Sequence, residues 1–229
     1  MSAPLAPQPR VARAFLVDMD NTLSDNDAIK RDLQYVVVDL LGRAHANRFW
    51  AIYEAVREDH DYVDFPGTIE RFQMEHPDAH RLSELTDLLW NLPFDQYLYP
   101  GALETLAVLG ALGTVVILTD GDAWYQPRKL ARSGVTAAVD GRVLIYKHKE
   151  RMLPEIERRY PADHYVLIDD KPNILAAAKR VLRAELTTVL VDQGQYAHSA
   201  ALPDFHPAPD LVAATIADVG RHAREWFGS

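Results

Sequence analysis

Two aspartates, Asp18 and Asp20, follow directly after the short apolar run "AFLV" (14–17). Carboxylates this close together repel one another, and burial raises the cost of ionising both. A divalent cation removes the conflict, because Mg²⁺ prefers oxygen ligands and is usually held by a few carboxylates together with a substrate phosphate. A carboxylate beside such an ion can also attack phosphorus, while a neighbouring acid carries protons. The pair therefore predicts magnesium-assisted phosphoryl transfer.

A second acid pair, Asp169 and Asp170, follows another apolar run, "HYVLI". Phosphoryl transfer also needs groups that neutralise the charge on the phosphoryl oxygens. The hydroxyl of Thr119, which comes after "TVVIL", is one candidate, and the lysines Lys147 and Lys149 are two more. From the residues alone, the choice between the two lysines stays open.

These groups must be positioned by the elements around them, and the apolar runs are typical of parallel strands that are buried on both faces. The runs alternate with helical patterns, which predicts an α/β fold with a doubly wound parallel sheet. Ligands of such sheets bind at the carboxyl ends of the strands, where the acids lie. The predicted strands cover 14–17, 114–118, 164–168 and 187–191, and the predicted helices cover 101–113, 124–134, 149–160 and 173–183.

One long segment breaks this alternation and reads as helical throughout. The sequence therefore predicts a flexible, Pro-rich leader (1–12), an α/β core domain (13–24 and 98–229) and a helical insertion (25–97) after the first strand. A final amphipathic helix is expected within 210–227. The helices expected in the insertion cover 27–42, 44–58, 66–76 and 81–91.

Composition narrows the partners and the compartment. The chain has 229 residues and a formal net charge of −9, with no basic run of the kind that nucleic-acid binding needs. It has no cysteine, which excludes disulfides and thiolate metal sites. No apolar stretch approaches the roughly 18 residues of a membrane span. We expect a cytoplasmic protein without nucleic-acid or membrane partners, and the oligomeric state is not readable.

The motifs, taken in chain order, resemble those of the haloacid dehalogenase superfamily, and more narrowly its Mg²⁺-dependent phosphatases that act through an aspartyl-phosphate. The resemblance implies a Rossmann-like fold, Mg²⁺ as cofactor and a small phosphorylated metabolite as substrate. The helical insertion is similar to the first-type cap of that superfamily, which closes over the substrate. The residues that carry the resemblance are Asp18-x-Asp20-Asn21-Thr22-Leu23, then Thr119, a lysine, and Asp169-Asp170.

The resemblance also implies roles for the acids. Asp18 is expected to be the nucleophile and a metal ligand, and Asp20 the general acid and base, with its backbone carbonyl on the metal. Asp170 is expected to bind Mg²⁺ directly. Asp169 is expected to bind it through a water molecule or to contact the residues that bind it. Many relatives have glycine where Asn21 stands, but asparagine also tolerates the backbone geometry of a turn.

On the substrate side, the resemblance implies that Thr119 hydrogen-bonds the phosphoryl oxygens. We also expect the next residue, Asp120, to be a substrate-binding residue. The segment "KERMLPEI" resembles the start of the helix that carries the motif lysine, which favours Lys149 and leaves Lys147 as the reserve.

Three alternatives stay open. A dehalogenase is disfavoured, because the metal-free dehalogenases resemble one another in lacking the second acid that Asp20 supplies here. A phosphonatase would need a Schiff-base lysine in the cap, for which Lys30 is the candidate. The third alternative is a non-catalytic binding or regulatory module with the same fold.

Overall fold

A parallel sheet organises the computed structural model of this protein, which describes residues 9–60, 62–195 and 206–228. In this part of the chain the sheet has six strands, in the order β3-β2-β1-β4-β5-β6, and each neighbouring pair is parallel. The doubly wound α/β fold predicted from the sequence is confirmed. The strands are β1 (Val11–Val17), β2 (Thr114–Asp120), β3 (Val143–Tyr146), β4 (Ala162–Asp169), β5 (Leu186–Val191) and β6 (Leu211–Ala213).

Helices cover both faces of the sheet because its strands are apolar on both sides. Along β1, Phe15 and Val17 face one apolar cluster, whereas Ala14 and Leu16 face the other. The helices of the core domain are α4 (Ala102–Gly110), α5 (Tyr125–Arg132), α6 (Val135–Ala138), α7 (Leu153–Arg159), α8 (Pro172–Leu182) and α9 (Ile216–Phe227). Side chains of α4, α5, α6 and α9 contribute to the first cluster, and those of α7 and α8 to the second.

Both edge strands of the described sheet were missed by the sequence prediction. The strands β3 and β6 are four and three residues long, too short for a clear period-two pattern. The expectation of a helix across 210–227 was wrong in its first part, because Leu211–Ala213 pairs with β5 and the helix α9 begins only at Ile216. A capping box between Thr215 and Asp218 marks that start.

The first strand begins earlier than predicted, inside the segment assigned to the leader. Strand β1 begins at Val11, two residues inside the segment predicted as leader, because Val11 pairs with Ala162 of β4. The remaining predicted strands all grow by one to three residues at their ends, since hydrogen-bonded pairing continues past the apolar run. Residues 1–8 of the predicted leader lie outside the described residues.

The helical insertion has an apolar core of its own. Its helices are α1 (Asn26–His60), α2 (Phe65–Glu75) and α3 (Leu82–Trp90), followed by short 3₁₀ turn Phe94–Tyr97. Helix α1 joins the two helices predicted over 27–42 and 44–58, and its backbone leaves helical geometry at Gly42, where φ is 76° and ψ is 159°. The rings of Phe49 and Phe72 meet at 5.6 Å within the buried cluster.

Two further 3₁₀ turns lie in the core domain, at Lys149–Arg151 and Arg183–Glu185. No helix in the described ranges combines the length and the apolar character needed to cross a bilayer.

The packing of the insertion predicts a matched pair of stability changes. Phe72→Ala empties a fully buried position of α2, so we expect it to lower the free energy of unfolding by about 3–5 kcal/mol. Met74→Ala, two residues away and 79% exposed, should change it by less than about 0.5 kcal/mol. Urea denaturation of both variants measures the difference, and equal losses would contradict the assigned core.

Candidate active site

Three buried carboxylates meet where the neighbouring strands β1 and β4 end. Val17 pairs with Ile168, so the residues that follow them lie side by side, and the backbone N–H of Asp18 donates to the carbonyl of Ile168 at 3.0 Å. Carboxylate oxygens of Asp18, Asp169 and Asp170 all lie within 4.8 Å of one another. Asp18 of the first acid pair and both acids of the second pair are therefore brought to one site by the parallel pairing of their strands.

A buried lysine bridges two of these acids. Lys149 Nζ lies 2.5 Å from Asp18 Oδ1 and 2.6 Å from Asp169 Oδ2, and it is hydrogen-bonded to the carbonyl of Leu118 at 3.3 Å. The backbone N–H of Lys149 donates to Asp120 Oδ1 at 2.8 Å. Lys147, the reserve candidate, instead lies with its Nζ 5.7 Å from the centre of the Tyr62 ring.

The charges of this cluster do not balance. Burial raises the pKa of Asp18 to about 7, with Lys149 opposing the rise and Asp169 adding to it. Burial, followed by the charges of Asp169 and Asp18, also raises the pKa of Asp170 well above its usual range. Burial alone lowers the pKa of Lys149, but Asp169 and Asp18 raise it above its usual value. The nearby lysines Lys149 and Lys171 act to lower the pKa of Asp18 and of Asp170, but burial and the repulsion between the acids outweigh them.

The cluster fits a divalent cation. Both carboxylate oxygens of Asp170 are buried and have no hydrogen-bond partner among the described residues. Leaving a buried polar group unsatisfied costs about 1–3 kcal/mol, and more when the group is charged. The carboxylates of Asp18, Asp169 and Asp170 are hard oxygen donors that would hold Mg²⁺ and let all three ionise.

The side chain of Asp20 lies in different surroundings from those three acids. Its carboxylate is 25% exposed, forms an ion pair with Lys129 through Oδ1, and accepts a hydrogen bond from Gln126 Nε2 at 3.0 Å through Oδ2. Gln126 Nε2 also lies 3.0 Å from the hydroxyl oxygen of Thr119, which donates to the carbonyl of Asp120 at 3.3 Å. Asp20 is thus the one acid of the first motif that is partly open to solvent.

The turn after β1 explains why asparagine follows Asp20. Asn21 has a φ of 60°, a left-handed conformation that asparagine adopts more easily than most residues. Its Oδ1 accepts from the backbone N–H groups of Asn26 and Asp27 at 3.0 and 3.3 Å, which ties the turn to the start of α1. The hydroxyl of Thr22 donates to Asp18 Oδ2 at 3.2 Å and helps to orient that carboxylate.

A cavity of about 580 Å³ opens beside the turn at Asn21, between the core domain and the insertion. Asp20 and Asp120 lie in its wall, and Lys30 and Tyr53 of α1 face them from the insertion. Lys30 Nζ is paired with Glu54 at 2.5 Å. Further lining residues are Arg57, Tyr62, His148, Glu150, Lys171 and Asn173.

Sequence reasoning did not select Gln126, Lys129 or Lys171 as site residues. Gln126 and Lys129 are three apart in a helical pattern that follows Thr119, which was the available signal. The pattern alone does not say which face of that helix turns towards Asp20. Lys171 comes directly after the second acid pair and was visible in the sequence as its neighbour.

The fold and the site together define an α/β protein with a buried acid cluster at the ends of two parallel strands. The family model of the haloacid dehalogenase-like hydrolases matches residues 12–181. The chain belongs to this family. A comparison with curated proteins finds no match.

Solved structures agree with this assignment. A candidate haloacid dehalogenase-like hydrolase from Burkholderia xenovorans is 44% identical to this chain. The match covers 94% of this chain and 98% of that protein, with a TM-score of 0.89. The L-2-haloacid dehalogenase of Xanthobacter autotrophicus with chloropropionic acid covalently bound is 19% identical. The match covers 93% of this chain and 99% of that protein, with a TM-score of 0.54. YfnB from Bacillus subtilis, a candidate HAD-hydrolase whose structure contains magnesium, is 13% identical. The match covers 96% of this chain and 100% of that protein, with a TM-score of 0.60. The last two show likeness of fold alone.

The raised pKa values predict how metal binding depends on pH. An acid whose folded-state pKa is raised destabilises the fold once it must ionise, so stability without metal falls as the pH rises from about 4 through about 7. Mg²⁺ binds the ionised acids, so we expect it to raise the melting temperature more at pH 8 than at pH 5.5. Differential scanning fluorimetry measures both shifts.

Two variants control this prediction. Asp170→Asn removes a proposed ligand and should abolish most of the Mg²⁺-dependent rise at pH 8. Asp163→Asn, which changes an exposed carboxylate on the same strand, should leave it unchanged. Equal rises at the two pH values, or a full rise in Asp170→Asn, would contradict the assigned metal site.

Proposed function

We propose that this protein is a Mg²⁺-dependent phosphomonoester hydrolase that acts on a small phosphorylated metabolite through a phospho-aspartate at Asp18. The observation that carries the proposal is the buried cluster of Asp18, Asp169 and Asp170, in which Asp170 has no hydrogen-bond partner among the described residues. A nucleophilic carboxylate, a cation-binding acid cluster and a separate, partly exposed acid at Asp20 are together what two-step phosphoryl transfer requires.

In the first step, a carboxylate oxygen of Asp18 attacks phosphorus and the bond to the leaving oxygen breaks. The leaving oxygen keeps the electron pair and takes a proton from the carboxyl group of Asp20. In the second step, water attacks phosphorus, its proton returns to Asp20, and the bond between phosphorus and Asp18 breaks. Inorganic phosphate leaves, and both aspartates are restored.

The remaining residues of the site serve these two steps. When bound by Asp18, Asp169 and Asp170, Mg²⁺ supplies positive charge that offsets the charge on the phosphoryl group. Lys149 holds the Asp18 carboxylate at 2.5 Å and adds a second positive charge beside it. In this proposal the Thr119 hydroxyl binds a phosphoryl oxygen and Asp120 holds the backbone of Lys149 in place.

The insertion bears on the class of substrate. Helix α1 forms one wall of the cavity, so the insertion acts as a cap over the reacting groups and limits access of water. A cavity of about 580 Å³ accommodates a small metabolite. We therefore propose a phosphorylated small molecule as the substrate, rather than a nucleic acid or a phosphoprotein.

The second candidate function is hydrolysis of a carbon–halogen bond. The likeness of fold to L-2-haloacid dehalogenases, including one with chloropropionic acid covalently bound, favours it. A halide, however, leaves as an anion that needs no proton, so that reaction would leave Asp20 without a leaving group to protonate. It also gives the unpartnered carboxylate of Asp170 no cation to bind. Both features of this chain favour the phosphatase.

The nucleophile assignment predicts the effect of one substitution. Asp18→Asn should reduce the release of phosphate from p-nitrophenyl phosphate to background, because the amide cannot form the covalent intermediate. Wild-type release should stop on addition of EDTA and resume with excess Mg²⁺. Asp163→Asn, which changes an exposed acid near the start of β4, at the opposite end of the strand from Asp169, serves as the matched control and should keep full activity.

A comparison of released products separates the candidate functions. We expect phosphate release that needs Mg²⁺ and no chloride release from 2-chloropropionate, measured with and without Mg²⁺. If the wild-type protein releases chloride and the Asp18→Asn variant does not, the protein is a dehalogenase and the phosphatase assignment is wrong. Trapping of Lys30 by borohydride with a carbonyl phosphonate would indicate a phosphonatase, and inactivity across a broad panel of phosphates would indicate a binding module.

A further inference from the structure

Lys129 is a buried cation to which the proposed mechanism assigns no role. It is 1% exposed, although burying an ammonium group costs several kcal/mol unless it is well paired. Its Nζ forms an ion pair with Asp20 and donates to the side-chain oxygen of Asn26 at 2.9 Å. Asn26 is the first residue of helix α1. Lys129 thus joins the proposed general acid to the point where the chain enters the insertion.

Gln126 holds the other oxygen of the same carboxylate. Its Nε2 donates to Asp20 Oδ2 at 3.0 Å, while Lys129 pairs with Asp20 Oδ1. Residues three apart share one face of a helix, so a single face of α5 contacts both oxygens. Contacts at both oxygens fix the rotation of the carboxylate, which a single contact would leave free.

The rest of α5 is anchored, which makes it a firm support. Asp122 Oδ1 accepts from the backbone N–H groups of Trp124 and Tyr125 at 2.7 Å and so defines the start of the helix. The Tyr125 ring is buried in the insertion, 5.1 Å from the ring of Phe65. Arg132 Nε donates to the carbonyl of Leu92 in the same insertion at 3.3 Å.

We infer that Lys129 and Gln126 are positioning residues that hold the Asp20 carboxylate in the orientation needed for proton transfer to the leaving group. The inference rests on the proposed function, since it concerns the acid of that reaction. A misplacement of about 1 Å can cost about 10²-fold in rate, and a general acid contributes about 10²- to 10⁴-fold. Loss of Lys129 should therefore lower kcat and leave KM little changed.

The choice of leaving group separates positioning from a merely structural role. An alkoxide is a poor leaving group and needs the proton of Asp20, whereas p-nitrophenolate leaves readily without it. Lys129→Met should lower kcat for the best alkyl phosphate of a substrate screen by about 10²-fold. For p-nitrophenyl phosphate the loss should be less than about tenfold, because general-acid help matters little there.

A double-mutant cycle with Asp20→Asn tests whether Lys129 acts through Asp20. With the alkyl phosphate and Mg²⁺ present, Lys129→Met should add no further loss in the Asp20→Asn background. Lys179→Met, which removes a lysine paired with Asp210 away from the site, is the matched control and should leave the alkyl-to-aryl ratio unchanged. Additive losses in the cycle, equal losses for both substrates, or no loss would each overturn the inference.

Two further outcomes are distinguishable from these. If Lys129→Met does not fold, as judged by circular dichroism, Gln126→Met is assayed in the same cycle and decides the inference by the same criteria. If the wild-type protein releases no phosphate from any substrate with Mg²⁺, the proposed function fails and the inference fails with it. Wild-type activity with an unaffected Lys129→Met variant overturns the inference alone.

Discussion

The concentration of negative charge at the ends of β1 and β4 is the constraint on which the rest of the structure depends. Asp18, Asp169 and Asp170 are buried, with carboxylate oxygens within 4.8 Å of one another, and Lys149 bridges two of them. Burial raises the pKa of Asp18 to about 7, so ionising this carboxyl group within the fold is unfavourable. Such a cluster is unfavourable by itself, and a divalent cation bound between the carboxylates would offset their repulsion.

The second acid of the first motif has a different support. Asp18 is held by the sheet, through the hydrogen bond to Ile168 and the pairing of β1 with β4, whereas the carboxylate of Asp20 is held by Gln126 and Lys129 of α5. Two acids separated by one residue therefore have separate environments, one buried and one partly exposed. In the proposed mechanism, this separation lets Asp18 serve as nucleophile while Asp20 exchanges protons.

The same scaffold supports more than one reaction in the haloacid dehalogenase-like hydrolases, so the fold does not decide the chemistry. The physical difference lies in the leaving group. A halide leaves as a stable anion, whereas an alkoxide needs a proton and a phosphoryl group needs its charge offset. We propose that these two needs are met by Asp20, with its two supports on α5, and by a cation held at Asp170, which has no hydrogen-bond partner among the described residues. This correspondence is the reason that we propose a phosphatase.

The sequence by itself determined the α/β class, the acid motifs at strand ends and the helical insertion, because these depend on local hydrophobic patterning and on residue spacing along the chain. It missed β3 and β6, which are defined by pairing with a neighbour rather than by their own short patterns. It also left Lys147 and Lys149 as alternatives. Only the tertiary structure placed Lys149 against Asp18 and turned Lys129 of α5 towards Asp20, because contacts between residues more than 100 positions apart depend on how the elements pack, which local spacing does not encode.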